Sequence, residues 1–156
     1  MAELDLAAHL RTTTEWAYKN LVNDLNAMDE DKAGTSLDET TRPAIKMVAE
    51  CGSVNGLLAS LISTGTAAMP TPEQRTAFFD AIQTRADALA VLEDGTQKLY
   101  AAIAALPPDQ WGETVQTPFG PWTKMRAASL AAQHTMYHDG QLNSLHLRHG
   151  DTEMHW

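Results

Sequence analysis

The sequence predicts an all-α fold, an antiparallel four-helix bundle with a long irregular loop before the last helix. Four long segments repeat apolar residues at helical spacing, short runs of turn-forming residues separate them, and few alternating β-branched stretches compete with them. The chain of 156 residues fits one domain, residues 1–156. A domain of this size buries roughly two thirds of its extended surface in a single core.

The first two helices are predicted from apolar periodicity and from the residues at their ends. The first runs from about Leu4 to Met28 and fades into the polar run 29–34. The second begins after Pro43, because proline suits the first turn of a helix. The run Ser63-Thr64-Gly65-Thr66, whose residues favour a turn, ends it.

The third segment is predicted as one long helix. It begins at Thr71-Pro72-Glu73-Gln74, which has a capping threonine, proline at the first helical position and glutamine at the third. Pro107-Pro108 ends it. Gly95 lies inside the segment, where glycine lowers helix stability by about 1 kcal/mol relative to alanine. If the helix bends, we expect the bend at Gly95.

Residues 109–121 separate the third helix from the fourth and are too rich in glycine, proline and tryptophan for a helix. They are also too many for a tight turn, so we expect an irregular loop that forms a wall of any site nearby. Its aromatic residues Trp111 and Phe119 are candidates for the lining of a pocket mouth. The fourth helix is predicted from about Thr123 to His149.

Charge and composition exclude several classes of partner. The net charge is -9 and the pI about 4.9, so nucleic-acid backbones and anionic membranes would be repelled on average. The N-terminal segment has acidic residues rather than a basic signal region, and no apolar run approaches the ~20 residues of a membrane span. Cys51 is the only cysteine, so no disulfide is expected and we predict a soluble, cytoplasmic protein. Apolar helix faces of this kind often pair, so we also expect a homodimer.

The most specific motif is His134-Thr-Met-Tyr-His138 followed by Asp-Gly-Gln141. Two histidines four residues apart lie on one helical face, with Cβ atoms about 5–6 Å apart, so both rings can reach one metal ion. Gln141 can reach the same face and hold an imidazole or a water molecule in place. The spacing alone also allows a packed or hydrogen-bonded pair without metal, and a firmly held first-row metal needs a third ligand.

The other histidines are expected to lie outside this site. His149 falls on a similar stripe of the helix but about 16 Å farther along its axis. His146 is interpreted as a feature of the tail, and His9 as a surface or core-edge residue. His155 and Trp156 lie at a terminus that we expect to fray.

The segment from His134 to Gly150, with its core His-x3-His-Asp-Gly-Gln-Leu, resembles the last helix of the DinB-like superfamily of metal-binding four-helix bundles. The resemblance extends to Pro118-Phe119-Gly120, to residues 107–111, and to residues 49–55 on the second helix. It implies the bundle fold and a divalent metal ion such as Zn, Ni, Mn or Fe. Only the His-x3-His-x2-Gln portion is specific.

In the DinB-like pattern the second helix supplies a third histidine, and the local context places Glu50 where that histidine would stand. Two imidazoles and one carboxylate form a competent metal site with open positions. We therefore expect Glu50, His134 and His138 to be the metal ligands. Cys51 competes at the adjacent position, but successive helical residues point about 100° apart, so only one should face the metal and Cys51 is expected to be a buried, inert thiol.

The resemblance implies either a metal-dependent hydrolase or a transferase that activates a low-molecular-weight thiol such as bacillithiol, mycothiol or glutathione, with a small-molecule substrate. A bound divalent ion lowers the pKa of water or of a thiol, which suits both reactions, but thiol transfer needs no separate base. Arg42 or Arg126 could provide a positive charge for an anionic thiol. The alternative, motivated by Glu50 in place of histidine, is a non-catalytic bundle that acts as a binding or stress-related scaffold.

Overall fold

The computed structural model describes residues 5–155. The elements are α1 (Leu6–Ala27), α2 (Glu30–Gly34), α3 (Ala44–Thr64), α4 (Pro72–Ala81), α5 (Arg85–Ala105), β1 (Thr114–Thr117), β2 (Gly120–Thr123) and α6 (Lys124–Arg148). The predicted helix start at Leu4 and the expectation for Trp156 lie outside the described residues. The polar run 29–34, into which the first helix was predicted to fade, contains the short helix α2.

The four long helices form the predicted bundle. α3 packs against α5 and α6, and α1 packs against α6 and α5. One apolar cluster contains Leu25, Val48, Leu92 and Leu142, and the other contains Leu10, Ile62, Leu99 and Ala127. The first cluster therefore joins the ends of α1 and α6 to the starts of α3 and α5, and the second joins the opposite ends. It follows that α1 and α6 run in one direction and α3 and α5 in the other.

A layer of buried polar residues lies between the two apolar clusters. Along each long helix these residues fall between the members of one cluster and the members of the other: Thr14, Asn55, Thr96, Thr135 and His138. Asn55 on α3 donates a hydrogen bond to Thr96 on α5 across 3.1 Å. The core is therefore apolar at both ends and polar at its middle.

The prediction of one helix between residues 71 and 106 is wrong, because the chain breaks at residues 82–84 into α4 and α5. Thr84 caps α5: its hydroxyl accepts a hydrogen bond from the backbone N–H of Asp87 at 3.1 Å, and the Asp87 carboxylate accepts one from the backbone N–H of Thr84 at 2.9 Å. This reciprocal capping box satisfies N–H groups that a new helix start leaves free. The start of α4 at Thr71 and Pro72 is as predicted.

Gly95 lies within the unbroken helix α5, and its role is a helix contact rather than a bend. A Cβ atom on Gly95 would overlap the carbonyl group of Gly52 on α3, and a Cβ atom on Gly52 would overlap the carbonyl group of Val91. Glycine is needed at both positions because the two backbones touch.

The segment before the last helix is more regular than predicted. A single 3₁₀ turn, Pro108–Gln110, precedes the antiparallel hairpin of β1 and β2, in which Val115 pairs with Trp122. The buried Lys124 at the start of α6 holds this segment, since its ammonium group contacts Glu113 at 2.8 Å and Gln110 at 3.1 Å. The hairpin therefore lies fixed over one end of the bundle.

Among the described helices, α3 alone is long and apolar enough, by length and composition, to cross a membrane. Of that apolar window, 61% is buried inside the bundle, as expected for a central helix. Gly, Ser and Asn residues interrupt the apolar run of α3, so the sequence does not show it as a continuous apolar segment.

Candidate metal centre

His134 and His138 face the same side of α6, as their spacing predicts. Their ring centroids are 4.7 Å apart, with the planes at 80° to each other. The side chain of His138 is 2% exposed, whereas His134 is half-buried and lies on the wall of a cavity. The pair therefore connects the polar layer of the core with an accessible space.

Gln141 fixes the orientation of His138. The Gln141 amide donates to the hydroxyl of Tyr137 through Nε2 at 3.2 Å, so its Oε1 faces Nδ1 of His138 at 2.7 Å. An amide oxygen only accepts, so His138 donates from Nδ1 and keeps a free electron pair on Nε2. This is how a second residue usually orients a metal-ligating histidine.

The two candidate ligands on α3 lie next to this pair. The ligating atoms of Cys51, His134 and His138 all lie within 4.8 Å of one another, and Oε2 of Glu50 is 3.7 Å from Nε2 of His138. Only one of Glu50 and Cys51 was expected to face the metal site, but both side chains lie beside the two histidines. Cys51 points inward, and the longer Glu50 side chain bends towards His138 from the adjacent helical position.

Burial keeps both imidazoles neutral. Burial, with a smaller effect of His138, lowers the pKa of His134 to about 4, and burial also lowers the pKa of His138. A neutral imidazole is the form that binds metal. Burial raises the pKa of the Cys51 thiol, and the nearby Glu50 carboxylate raises it further, so without a cation Cys51 is the inert thiol that was expected.

One buried atom of the site has no hydrogen-bond partner among the described residues, Nδ1 of His134. Leaving a buried polar atom unsatisfied is costly, and such atoms usually have an identifiable role. The free Nε2 of His138 and the oxygen and sulfur donors on α3 complete a set of ligand types that suits a divalent transition metal. The residues present therefore fit the metal ion that the resemblance implies.

Two cations border the site beside Glu50. Arg42 pairs with Oε2 of Glu50, and Nη2 of Arg75 lies 3.8 Å from Oε1. Arg126, the other arginine considered from the sequence, instead lies 4.8 Å over the ring of Trp122 on the hairpin. The positive charge at the site therefore comes from Arg42 and Arg75.

A cavity of about 310 Å³ adjoins the site between α3, α6 and the hairpin. Its walls are mainly apolar, and Glu50 and His134 are among the lining residues. Phe119 lines it as expected and stacks on Trp122 with ring centroids 5.9 Å apart. Trp111 does not line the cavity, because its side chain is 7% exposed and packs into the core beneath the hairpin, and Trp122 occupies the wall instead.

Asp139 turns away from the metal-ligand face towards α1, where it meets Asp24. Both carboxylates are buried, with exposures of 1% and 0%. Burial raises the pKa of Asp139 to about 7, and the hydrogen bond and negative charge of Asp24 contribute to the increase. The next residue, Gly140, has no atom within 4 Å of the place where a Cβ would stand.

We expect Asp139→Asn to be more stable than the wild type at pH 8, by about 2 kcal/mol, and this advantage to shrink by pH 5. The unfolded chain releases the Asp139 proton near the ordinary carboxyl pKa of 3.8, but burial holds the proton in the folded chain up to a pKa of about 7. The wild type therefore loses stability as the pH rises through this interval, and asparagine has no proton to lose. Urea unfolding at pH 5 and pH 8 measures the difference. Asp80→Asn on the exposed surface of α4 is the control, and parallel pH profiles for the wild type and Asp139→Asn would contradict the expectation.

Comparison with known proteins bears on the fold and the family of the chain. Residues 13–142 match the sequence pattern of the DinB superfamily. No curated protein sequence matches the chain. Among solved structures, the chain is similar to a DinB-like protein from Bacillus subtilis, YjoA, with a TM-score of 0.66, 20% identity, and coverage of 98% of this chain and 97% of the other.

The chain is also similar to a mycothiol-dependent maleylpyruvate isomerase, with a TM-score of 0.69 and 19% identity, covering 93% of this chain and 67% of that one. A variant of the same isomerase gives the same values. At these identities the solved structures establish the fold, and the match over residues 13–142 establishes the family. The chain belongs to the DinB superfamily.

Proposed function

We propose that this protein is a metal-dependent enzyme that transfers a low-molecular-weight thiol to a small apolar electrophile, with Glu50, His134 and His138 holding one divalent ion. The observation that carries the proposal is the placement of Glu50 and His134 on the wall of an apolar cavity, with His138 behind them. Zn, Ni, Mn and Fe(II) all suit two imidazoles and a carboxylate. We further propose a cytoplasmic location and a homodimer, and the charge of -9 favours a small molecule over a nucleic acid as partner.

A divalent ion at this site would lower the pKa of a thiol enough to ionise it near neutral pH. The residues of the chain have distinct tasks around it. Gln141 keeps Nε2 of His138 directed at Glu50, and the apolar walls hold the electrophile and exclude water. In the transfer, the thiolate sulfur forms a bond to carbon, the leaving group departs with its bonding electrons, and the thiol proton passes to water.

Two features favour thiol transfer over hydrolysis. Hydrolysis needs a base to activate water, and Glu50 is the only carboxylate among the described residues that line the cavity. It is already paired with Arg42 and Arg75. Those arginines would also attract an anionic thiol, and the mycothiol dependence stated in the name of the isomerase is consistent with a thiol cofactor in this fold.

The proposal is tested by loading the Cys51→Ser variant with Co²⁺ and adding mycothiol, bacillithiol or glutathione. At least one thiol should produce the near-ultraviolet absorption of a sulfur–cobalt bond, since serine at position 51 removes the only sulfur donor of the site. The band should be absent with the S-methylated thiol and in the further variant His138→Ala. A cobalt-loaded chain that gives no band with any thiol but hydrolyses esters or amides would replace the proposal with a hydrolase.

The scaffold alternative has one observation in its favour, the pairing of Glu50 with Arg42 and Arg75. A carboxylate held by two guanidinium groups does not need a metal ion to be satisfied. A wild-type chain that takes up no divalent ion at His134 and His138 would contradict the metal-dependent enzyme and favour the scaffold.

A further inference from the structure

A second group of metal-ligand side chains lies beyond the C-terminal end of α6. Nδ1 of His146 is 3.0 Å from Oδ2 of Asp151, and Nε2 of His155 is 2.9 Å from the same oxygen. The two rings lie 4.7 Å apart at their centroids. The three ligating atoms are all within 4.8 Å of one another. Gly150, with φ at +84°, turns the chain back so that the tail reaches α6.

The hydrogen bonds of His146 determine where its proton lies. Nε2 of His146 is 2.8 Å from the backbone carbonyl oxygen of Asp24 on α1. A carbonyl oxygen only accepts hydrogen bonds, so Nε2 carries the hydrogen and Nδ1 of the neutral ring carries a free electron pair. That electron pair faces a carboxylate oxygen of Asp151, which is also an acceptor. The arrangement therefore needs a cation between them, either an extra proton or a metal ion.

The surroundings of the cluster favour the metal ion. His146 is 4% exposed, and a backbone carbonyl holds its other nitrogen, which is a common way to orient a metal-ligating histidine. The Asp151 carboxylate is itself oriented, because its other oxygen accepts the backbone N–H of Glu153 at 3.0 Å. Two imidazole nitrogens then lie within 3.0 Å of one carboxylate oxygen. Two histidines and one carboxylate are a ligand set typical of Zn²⁺ with a fourth position for water.

We propose that His146, Asp151 and His155 form a second divalent metal site, of the Zn²⁺ class, that fastens the tail after α6 to α1 and α6. It is separate from the site of His138, because eight residues along α6 correspond to about 12 Å. The proposal does not depend on the proposed thiol transfer. Metal binding would close a loop from residue 146 to residue 155. This loop lies at the end of the bundle that contains Asp24.

The test is the number of zinc ions bound by the untagged full chain after removal of metal with a chelator, measured by calorimetry with Zn²⁺ alone and by elemental analysis. The wild type should bind two ions per chain, and His155→Ala should bind one. Loss of a residue that only orients a ligand lowers metal affinity by roughly 10- to 100-fold. Asp151→Asn removes a ligand, so it should lower the zinc affinity of the second site by at least that factor. His149→Ala is the matched control, a histidine at the same end of α6 but outside the cluster, and should still bind two ions.

The two sites are distinguished by the variant that removes each ion. His138→Ala should lose the first ion and keep the second, so a failure of the first site leaves the result for His155→Ala intact. Equal zinc stoichiometry in the wild type and in His155→Ala would overturn the second site. A wild type whose zinc is lost entirely in His138→Ala would overturn it as well, since the cation between His146 and Asp151 would then be a proton. His155 lies outside the helices, so the circular dichroism spectrum of His155→Ala should show the helix content of the wild type.

Discussion

Replacing Gly95 with alanine is expected to destabilise the protein by about 3 kcal/mol, at the upper end of the usual cost of overpacking a core. The added methyl group would overlap the backbone carbonyl of Gly52, which cannot move aside as a flexible side chain can. The helices α3 and α5 would have to move apart where Gly52 and Gly95 meet. Urea unfolding monitored by circular dichroism measures the change. Gly52→Ala should have a similar effect, because its methyl group meets the carbonyl of Val91.

Gly56→Ala is the matched control for this expectation. Gly56 is one helical turn after Gly52 on α3, and a Cβ there has no atom within 4 Å. Alanine should stabilise the helix at that position by about 0.5–1 kcal/mol, because it loses less backbone entropy on folding than glycine does. Equal stability changes in Gly95→Ala and Gly56→Ala would show that the backbones of α3 and α5 do not touch at Gly52 and Gly95.

The second large effect is the loss of the proposed divalent ion when either His134 or His138 is replaced. In the His155→Ala background, which leaves only this site, we expect about one divalent ion per chain, and none after His134→Ala or His138→Ala, because two ligands do not hold a first-row metal firmly. Gln141→Ala should weaken binding by about 10- to 100-fold, since it only orients His138. Elemental analysis and calorimetry measure both effects.

The third ligand is identified by comparing Glu50→Gln with Cys51→Ser. If the carboxylate binds, Glu50→Gln should cost more affinity than Gln141→Ala, and Cys51→Ser should cost little. His9→Ala, a surface histidine on α1, is the control and should retain the ion. The opposite ranking of Glu50→Gln and Cys51→Ser would reassign the third ligand to the thiolate.

Local sequence signals predicted most of the helix boundaries. Pro72 after a capping threonine and Gly65 at a helix end behave as their backbone preferences require. The break before α5 was missed although Thr84 and Asp87 carry a capping signal, because apolar periodicity continues across it. Gly95 was misinterpreted because its partner is Gly52, 43 residues earlier in the chain, and no local pattern shows a contact of that kind.

The candidate site could be predicted where it depends on one helix. The spacing of His134, His138 and Gln141 is a property of α6 alone, and the structure brings the three together. The approach of both Glu50 and Cys51 was missed, because helical angles ignore side-chain length. The cluster of His146 and His155 was also missed, since it depends on the reversal after Gly150, for which a glycine following a helix end was the only signal.

The polar layer between the two apolar clusters has a consequence for metal uptake. Sliding α3 or α5 by one turn would bury Asn55 or Thr96 against leucines and break the hydrogen bond between them, so a single axial alignment of these two helices is favoured. Since His138 belongs to this layer, its position relative to α3 should be kept whether or not an ion is bound. Loading would then require little ordering of the chain, and the choice of metal should follow the supply of ions and the rigid spacing of the donors.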